Sequence, residues 1–270
     1  MKLLKKIVFL LIILGIVLGF YAFKIEPYRY MTETVSLNTS ENTTTSLKVV
    51  QFSDTHIKGD FTAENLIPIV NAINAQDPDV IVFTGDLYDN YSTYSSDAEL
   101  ISVLSSLGAD TKLAIWGNRD YGGGSQPVYE DIMTQSGFTV LRNMDYWIEY
   151  DGKQIQFTGL DDALMGRPLN NEGNENADYS ILLAHEPDKA VQYATGYDLI
   201  LAGHTHGGQI HIPLFNDQIL ALTPFGSTYL RGMYSVSDTC QMYVNPGIGT
   251  THISARLGVV PEITSFIIHL

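Results

Sequence analysis

Aspartate, histidine and asparagine recur in this chain just past apolar runs, in the combination that binds transition-metal cations. Asp54 and His56 follow the run 47–52, Asp86 follows 80–84, Asn118 follows 112–116, His185 follows 181–184, and His204 and His206 follow 198–202. Imidazole suits Zn, Fe and Ni, whereas carboxylate and amide oxygens suit Mn and Mg, so the mixed set points to a pair of transition metals rather than calcium. No cysteine joins the cluster, which sets aside a thiolate zinc site. Two cations roughly 3.5–4 Å apart can clamp a phosphoryl group and activate water, provided one ligand, normally a carboxylate, is shared between them.

Taken singly, most of these residues have an ordinary explanation. Asp54 and His56, Gly85-Asp86 and Gly117-Asn118 are common turn material, and a lone histidine such as His185 is more often a core or loop residue than a ligand. Gly203-His204-Thr205-His206-Gly207-Gly208 differs, because alternating histidines between glycines have little structural use. The argument rests on repetition: each apolar run ends in potential ligands, and turns alone do not produce that.

The elements that must position them follow from periodicity. The apolar runs predict buried strands at 47–52, 80–84, 112–116, 181–184 and 198–202, and apolar spacing near three and four predicts helices at 64–75 and 97–107. Strands alternating with helices imply βαβ units, whose ligands gather at the carboxyl ends of the strands. Later alternating pieces at 146–150, 155–158, 209–212, 241–244 and 263–268 predict a second, more antiparallel sheet. The expected fold is α/β, two mixed sheets sandwiched and flanked by helices.

The series Asp54-x-His56, Gly85-Asp86-x-x-Asp89, Gly117-Asn118-x-Asp120, His185 and Gly203-His204-x-His206 resembles the calcineurin-like metallophosphoesterase superfamily, with the motifs in the expected order. Gly159-Leu160-Asp161-Asp162, Gly207-Gly208-Gln209, the stretch 245–250 and Arg256-Leu257-Gly258 resemble a bacterial membrane-associated phosphodiesterase branch. The resemblance implies a four-layer αββα sandwich over 47–270 and two divalent metal ions (Mn, Fe, Zn or Ni). One ion would be held by Asp54, His56, Asp86 and His206, the other by Asp86, Asn118, His185 and His204, with Asp86 as the bridge. Hydroxide between the metals would attack phosphorus while Asn118, Arg119 and His204 flank the non-bridging oxygens. Asp89 and Asp120 match positions whose carboxylates orient the ligating histidines.

Arg119 departs from the superfamily's commonest pattern, which has histidine there to assist the leaving group. An arginine side chain keeps its proton at ordinary pH and cannot act as a general acid, although it can clamp a phosphate bidentately. The string Gly117-Asn118-Arg119-Asp120 is similar to that of UDP-2,3-diacylglucosamine hydrolases, which cleave a pyrophosphate. The expected substrate therefore has a low-pKa leaving group, in a phosphodiester or pyrophosphate, with lipid-linked and cell-envelope phosphates among the candidates. Two other classes compete. A protein or monoester phosphatase of the same fold would prefer phosphopeptides or monoesters, and a non-catalytic binding protein would hold metal without turnover.

Lys2, Lys5 and Lys6 precede an uninterrupted apolar stretch, 7–23, followed by Lys24. At about 1.5 Å per residue such a helix just spans a hydrocarbon core. Basic residues before it favour an inside N-terminus, giving a single-pass cell-membrane protein with an extracytoplasmic catalytic domain. A cleaved signal peptide, with Val17 and Gly19 as its small-residue site, is the competing reading and would give a secreted enzyme. The expected division is a 1–24 anchor, a polar 25–46 stalk in which Val35 and Leu37 suggest a strand, and one catalytic domain over 47–270. A net charge of -15 and a pI near 4.6 argue against a general nucleic-acid binder and make anionic lipid surfaces unattractive. The single Cys240 cannot form an intrachain disulfide.

Overall fold

Both faces of most central strands are buried, and this explains why they read as unbroken apolar runs. A computed structural model of the chain describes residues 2–38, 45–169, 172–213 and 228–270. Its strands are β1 (Met31–Leu37), β2 (Ser46–Phe52), β3 (Val80–Phe83), β4 (Thr111–Ala114), β5 (Thr139–Val140), β6 (Met144–Tyr150), β7 (Lys153–Gly159), β8 (Tyr179–Leu183), β9 (Leu199–Ala202), β10 (Gly232–Ser235), β11 (Gln241–Val244) and β12 (Glu262–His269). They form two six-stranded sheets, ordered β1-β12-β2-β3-β4-β5 and β10-β11-β9-β8-β7-β6.

Side chains alternate across each strand. Val49, Val80, Val82 and Leu113 of the first sheet face Phe157, Ile181, Leu183 and Leu201 of the second, while Val50, Ile81 and Phe83 point outward against helices. The helices are α1 (Lys2–Lys24), α2 (Ala63–Asn74), α3 (Asp97–Leu104), α4 (Asn118–Gly122), α5 (Tyr129–Gln135) and α6 (Pro187–Ala190). In α2, Leu66, Ile69, Val70 and Ile73 make the buried stripe, and Asn65 Oδ1 accepts from the Thr62 amide at 2.8 Å to close its N-terminus. The outer face of the second sheet is covered, among the described residues, by α6 and a short 3₁₀ turn.

The two mixed sheets with flanking helices match the fold expected from the sequence, with several corrections in detail. The second sheet has two antiparallel ladders, β6-β7 and β10-β11, against one in the first, β12-β2, but its centre is parallel, running through β7, β8, β9 and β11. β12 belongs to the first sheet, inserted between β1 and β2. Residues 209–212 form no strand, because Gly207, Gly208 and Gln209 all take positive φ and turn the chain; only Ile210 makes an isolated bridge, to Leu257. The alternating piece at Val35 and Leu37 is the parallel edge strand β1, paired with β12 along its length. Helix α1 is long and apolar enough to cross a membrane and is exposed along nearly all of its length.

Candidate metal centre

The predicted ligands all lie just beyond the carboxyl ends of five parallel strands. The ladder of β2 and β3 continues past both strands, with the Asp54 amide donating to Gly85 O at 3.0 Å and the His56 amide to Asp86 O at 3.1 Å. The two sheets are joined directly beneath the site. Gln51 Nε2 on β2 donates to Ala202 O on β9 at 2.9 Å, and the His204 amide donates to Asp54 Oδ2 at 2.9 Å. Gly117 has no room for a side chain, since a Cβ there would overlap the Asp86 carboxylate and amide. Five candidate ligands, Asp54, His56, Asp86, His204 and His206, have φ between 44° and 70°, in the left-handed region. Non-glycine residues seldom adopt it, and its cost is tolerated where the surroundings fix the backbone, most often at functional sites.

The side chains converge. His56 Nε2 and His206 Nε2 are 3.0 Å apart, and Asp54 Oδ1 lies 3.7 and 3.6 Å from them. On the other side His204 Nδ1 lies 3.3 Å from His185 Nε2 and 3.1 Å from Asn118 Oδ1. Asp86 Oδ2 stands between the groups, 3.4 Å from both His56 Nε2 and His185 Nε2. Donors bound about 2.0–2.1 Å from one cation lie about 2.9–3.4 Å apart, so most of these separations are those of a coordination polyhedron. Asp54 Oδ1 is fully buried and has no hydrogen-bond donor, which is costly unless a cation faces it. The donor set fits divalent metal.

Neighbouring groups fix which nitrogen points inward. His185 Nδ1 is 2.7 Å from Thr84 O and His56 Nδ1 is 3.2 Å from Asp89 Oδ1, so in both rings Nε2 is left for the centre. Burial, with His185 alongside, lowers His204 to about 4, and burial also drives His206 well below the usual imidazole range, whereas against burial the Asp86 carboxylate raises His185 and the Asp54 carboxylate raises His56. Asp89 thus lies where a carboxylate orienting His56 would, but Asp120 does not. Its carboxylate accepts from the amides of Asp86, Leu87 and Gly117 at 2.9–3.0 Å, pinning the β3 and β4 loops together instead of touching a histidine. Burial and the charge of Asp86 push Asp120 up to about 7.

A cleft of about 260 Å³ opens over the cluster, lined by His56, Asp86, Asn118, Arg119, His204 and His206, with Leu164, Thr251 and His252 completing its walls. Arg119 donates to Thr251 Oγ1 at 3.0 Å, and Thr251 donates to Asp89 Oδ1 at 3.0 Å, so the guanidinium is chained to the carboxylate behind His56. The sequence reading missed Thr251 and His252, although they directly follow the 245–250 motif. That motif acquires a role from Arg256, a fully buried guanidinium that donates to the carbonyls of Pro246, Gly247 and Gly249 at 2.7–3.1 Å and lies 3.4 Å from His206 Nδ1. Gln209 clamps the adjoining loop through Thr251 and Ile253. Tyr88 and Tyr91 both donate to Asp97 at the start of α3, and Arg142 packs over Trp116 and Tyr121 while pairing with Asp161.

Two mixed sheets with a His/Asp/Asn cluster at their carboxyl edge define a metallophosphoesterase. The chain belongs to the calcineurin-like phosphoesterase family, whose sequence profile matches residues 47–208. It is 41% identical over 256 residues to "Uncharacterized metallophosphoesterase YkuE" of Bacillus subtilis (strain 168), covering 91% of this chain and 88% of that one. It is 29% identical over 223 residues to "Phosphodiesterase YaeI" of Escherichia coli (strain K12), covering 80% of each. It is also 31% identical over 251 residues to "Transmembrane protein with metallophosphoesterase domain" of Bos taurus, covering 83% of this chain and 53% of that one. The chain is a metal-dependent phosphoric ester hydrolase.

Proposed function

We propose that this enzyme hydrolyses a phosphodiester or pyrophosphate bond in a lipid-linked substrate, using two divalent cations that share Asp86. Asp54, His56, Asp86 and His206 would hold one ion; Asp86, Asn118, His185 and His204 would hold the other. The observation that carries this reading is the equal 3.4 Å approach of Asp86 Oδ2 to Nε2 of His56 and of His185. Bound divalent cations supply Lewis acidity toward phosphoryl oxygens and lower the pKa of water.

The remaining work falls to the chain's own side chains. Arg119 lies on the cleft wall with its guanidinium held by Thr251, placed to receive the non-bridging oxygens of a phosphoryl group. Arginine donates no proton to a departing alkoxide, which favours leaving groups of low pKa. Asn118 and His204, 3.1 Å apart, flank the same position. Helix α1 is the membrane anchor. Lys2, Lys5 and Lys6 ahead of the apolar run support an extracytoplasmic domain, and the similarity to a transmembrane relative supports the anchor.

The test is metal content and turnover on the full chain in detergent. Bound Mn, Fe, Zn and Ni are quantified, and bis-p-nitrophenyl phosphate is compared with p-nitrophenyl phosphate. About two metals per chain and faster diester cleavage are expected. A single metal, or preference for the monoester, overturns the proposal.

A further inference from the structure

Helix α1 does not leave the domain on a loose tether. The Arg256 amide donates to Ala22 O, the Val259 amide to Glu26 Oε1 and the Met31 amide to Pro261 O, each at 2.9 Å, and Ala22, Glu26 and Pro27 are buried. Tyr28 donates to Asp60 O at 2.9 Å and its ring stacks on Phe61. The end of the apolar helix is therefore part of the fold, and the fold sets where the domain meets a bilayer.

The segment that grips the helix also walls the cleft. Arg256 contacts Ala22, Thr250 and Ser254 share a small hollow with Pro27 and Tyr28, and Thr251 and His252 line the metal cleft. One loop, 250–254, thus separates the helix end from the site. The headgroup layer is about 5–8 Å deep per leaflet, so residues just past the helix end fall within it. Exposed there are Ile25, Tyr28, Tyr30, Met31 and, on the loop, Ile253 at 44%. Tyrosines with aliphatic neighbours are the composition that settles at a membrane interface. Lys24 and Arg29, exposed beside them, can reach the phosphate level while their stems stay in apolar surroundings. Across the cleft, Leu164 is 53% exposed.

We infer that loop 250–254 is seated on the bilayer surface, with Ile253 in the interface, so that the cleft opens at the level of lipid phosphates. The partner of this face is a lipid bilayer. This deepens the phosphoesterase reading and rests on it only for the consequence that the substrate is an amphiphile attacked without leaving the membrane. The chain's charge of -15 gives no attraction to anionic lipid, so the contact depends on α1 and on apolar side chains.

The test uses the full chain reconstituted in phosphatidylcholine vesicles. Ile253→Cys and, at the opposite end of the strands, Asp238→Cys are labelled in turn with bimane; Cys240 is buried and out of reach. Doxyl-phosphatidylcholine is expected to quench the label at 253 and spare that at 238. No quenching at 253, or equal quenching at both, overturns the inference whatever the enzyme's activity. In a second arm, Ile253→Glu is expected to lower cleavage of a vesicle-embedded phosphodiester by about tenfold, or about 1.4 kcal/mol, and that of bis-p-nitrophenyl phosphate by less than about twofold, since a charge at 253 opposes seating of the loop in the apolar interface. Equal loss on both substrates overturns it. Absence of turnover by the unaltered chain overturns the phosphoesterase reading instead and leaves the quenching result to decide the docking.

Discussion

The main-chain amide of Arg119 donates to Asp86 Oδ1 at 2.7 Å. The bond occupies one carboxylate oxygen and leaves Oδ2 turned toward His56 and His185, so the proposed bridging geometry is held by backbone and is independent of the Arg119 side chain. Arg119→Ala should keep its metal and lose turnover by about a hundredfold, the scale of removing one charge-stabilising donor. Metal analysis beside a diester assay checks this, and joint loss of both contradicts it.

Asp86→Ala is the converse case. With the shared oxygen gone, His56 and His185 have no common partner, and metal and activity should fall together. A fully active variant would exclude the layout.

Arg119→His tests leaving-group chemistry. Histidine can donate a proton, so the ratio of alkyl phosphodiester to pyrophosphate cleavage should rise by about 10-fold or more. An unchanged ratio removes the argument for a low-pKa leaving group.

Asp89→Asn reaches the centre indirectly. Asp89 Oδ1 lies 3.2 Å from His56 Nδ1 and also accepts from Thr251. Its replacement should weaken metal binding by about 10–100-fold, as for other carboxylates behind ligating histidines. Titration with Mn followed by mass spectrometry would reveal it; retention of full affinity would show that His56 is oriented by packing alone.

Arg256→Met leaves the carbonyls of Pro246, Gly247 and Gly249 without their shared donor. Buried acceptors stripped of a charged donor cost about 1–3 kcal/mol each at most, and a loss of about 3 kcal/mol or more is expected in all. Thermal unfolding should fall by about 6–12 °C in a domain of this size. A shift under about 2 °C would mean that the 246–249 turn is held by other contacts.

Much of this was legible in the sequence because burial writes itself into composition. Strands β3 and β9 are covered on both faces and appear as solid apolar runs, β2 and β8 less completely, and the ligand types stand out at their ends. Pairing across long separations left no local trace. Nothing in Glu262–His269 signals that it slides between β1 and β2. Thr251 comes beside Asp89 only through folding, and Asp120 looks like any other motif carboxylate until its three amide donors are seen. The tail end of the glycine-histidine motif misled in the opposite sense. Residues 209–212 alternate like a strand, but Gln209 at φ 58° spends its side chain clamping the loop at 251–253.

The left-handed backbone at Asp54, His56, Asp86, His204 and His206 sets the terms on which this protein can be improved. Each such residue raises the energy of the fold by about 1–3 kcal/mol, and glycine or asparagine there would relax it. Selection for heat resistance alone, with no demand for turnover, would therefore be drawn first to the very positions proposed to hold the metals. Robust variants must be sought by screening for hydrolysis and endurance in the same well.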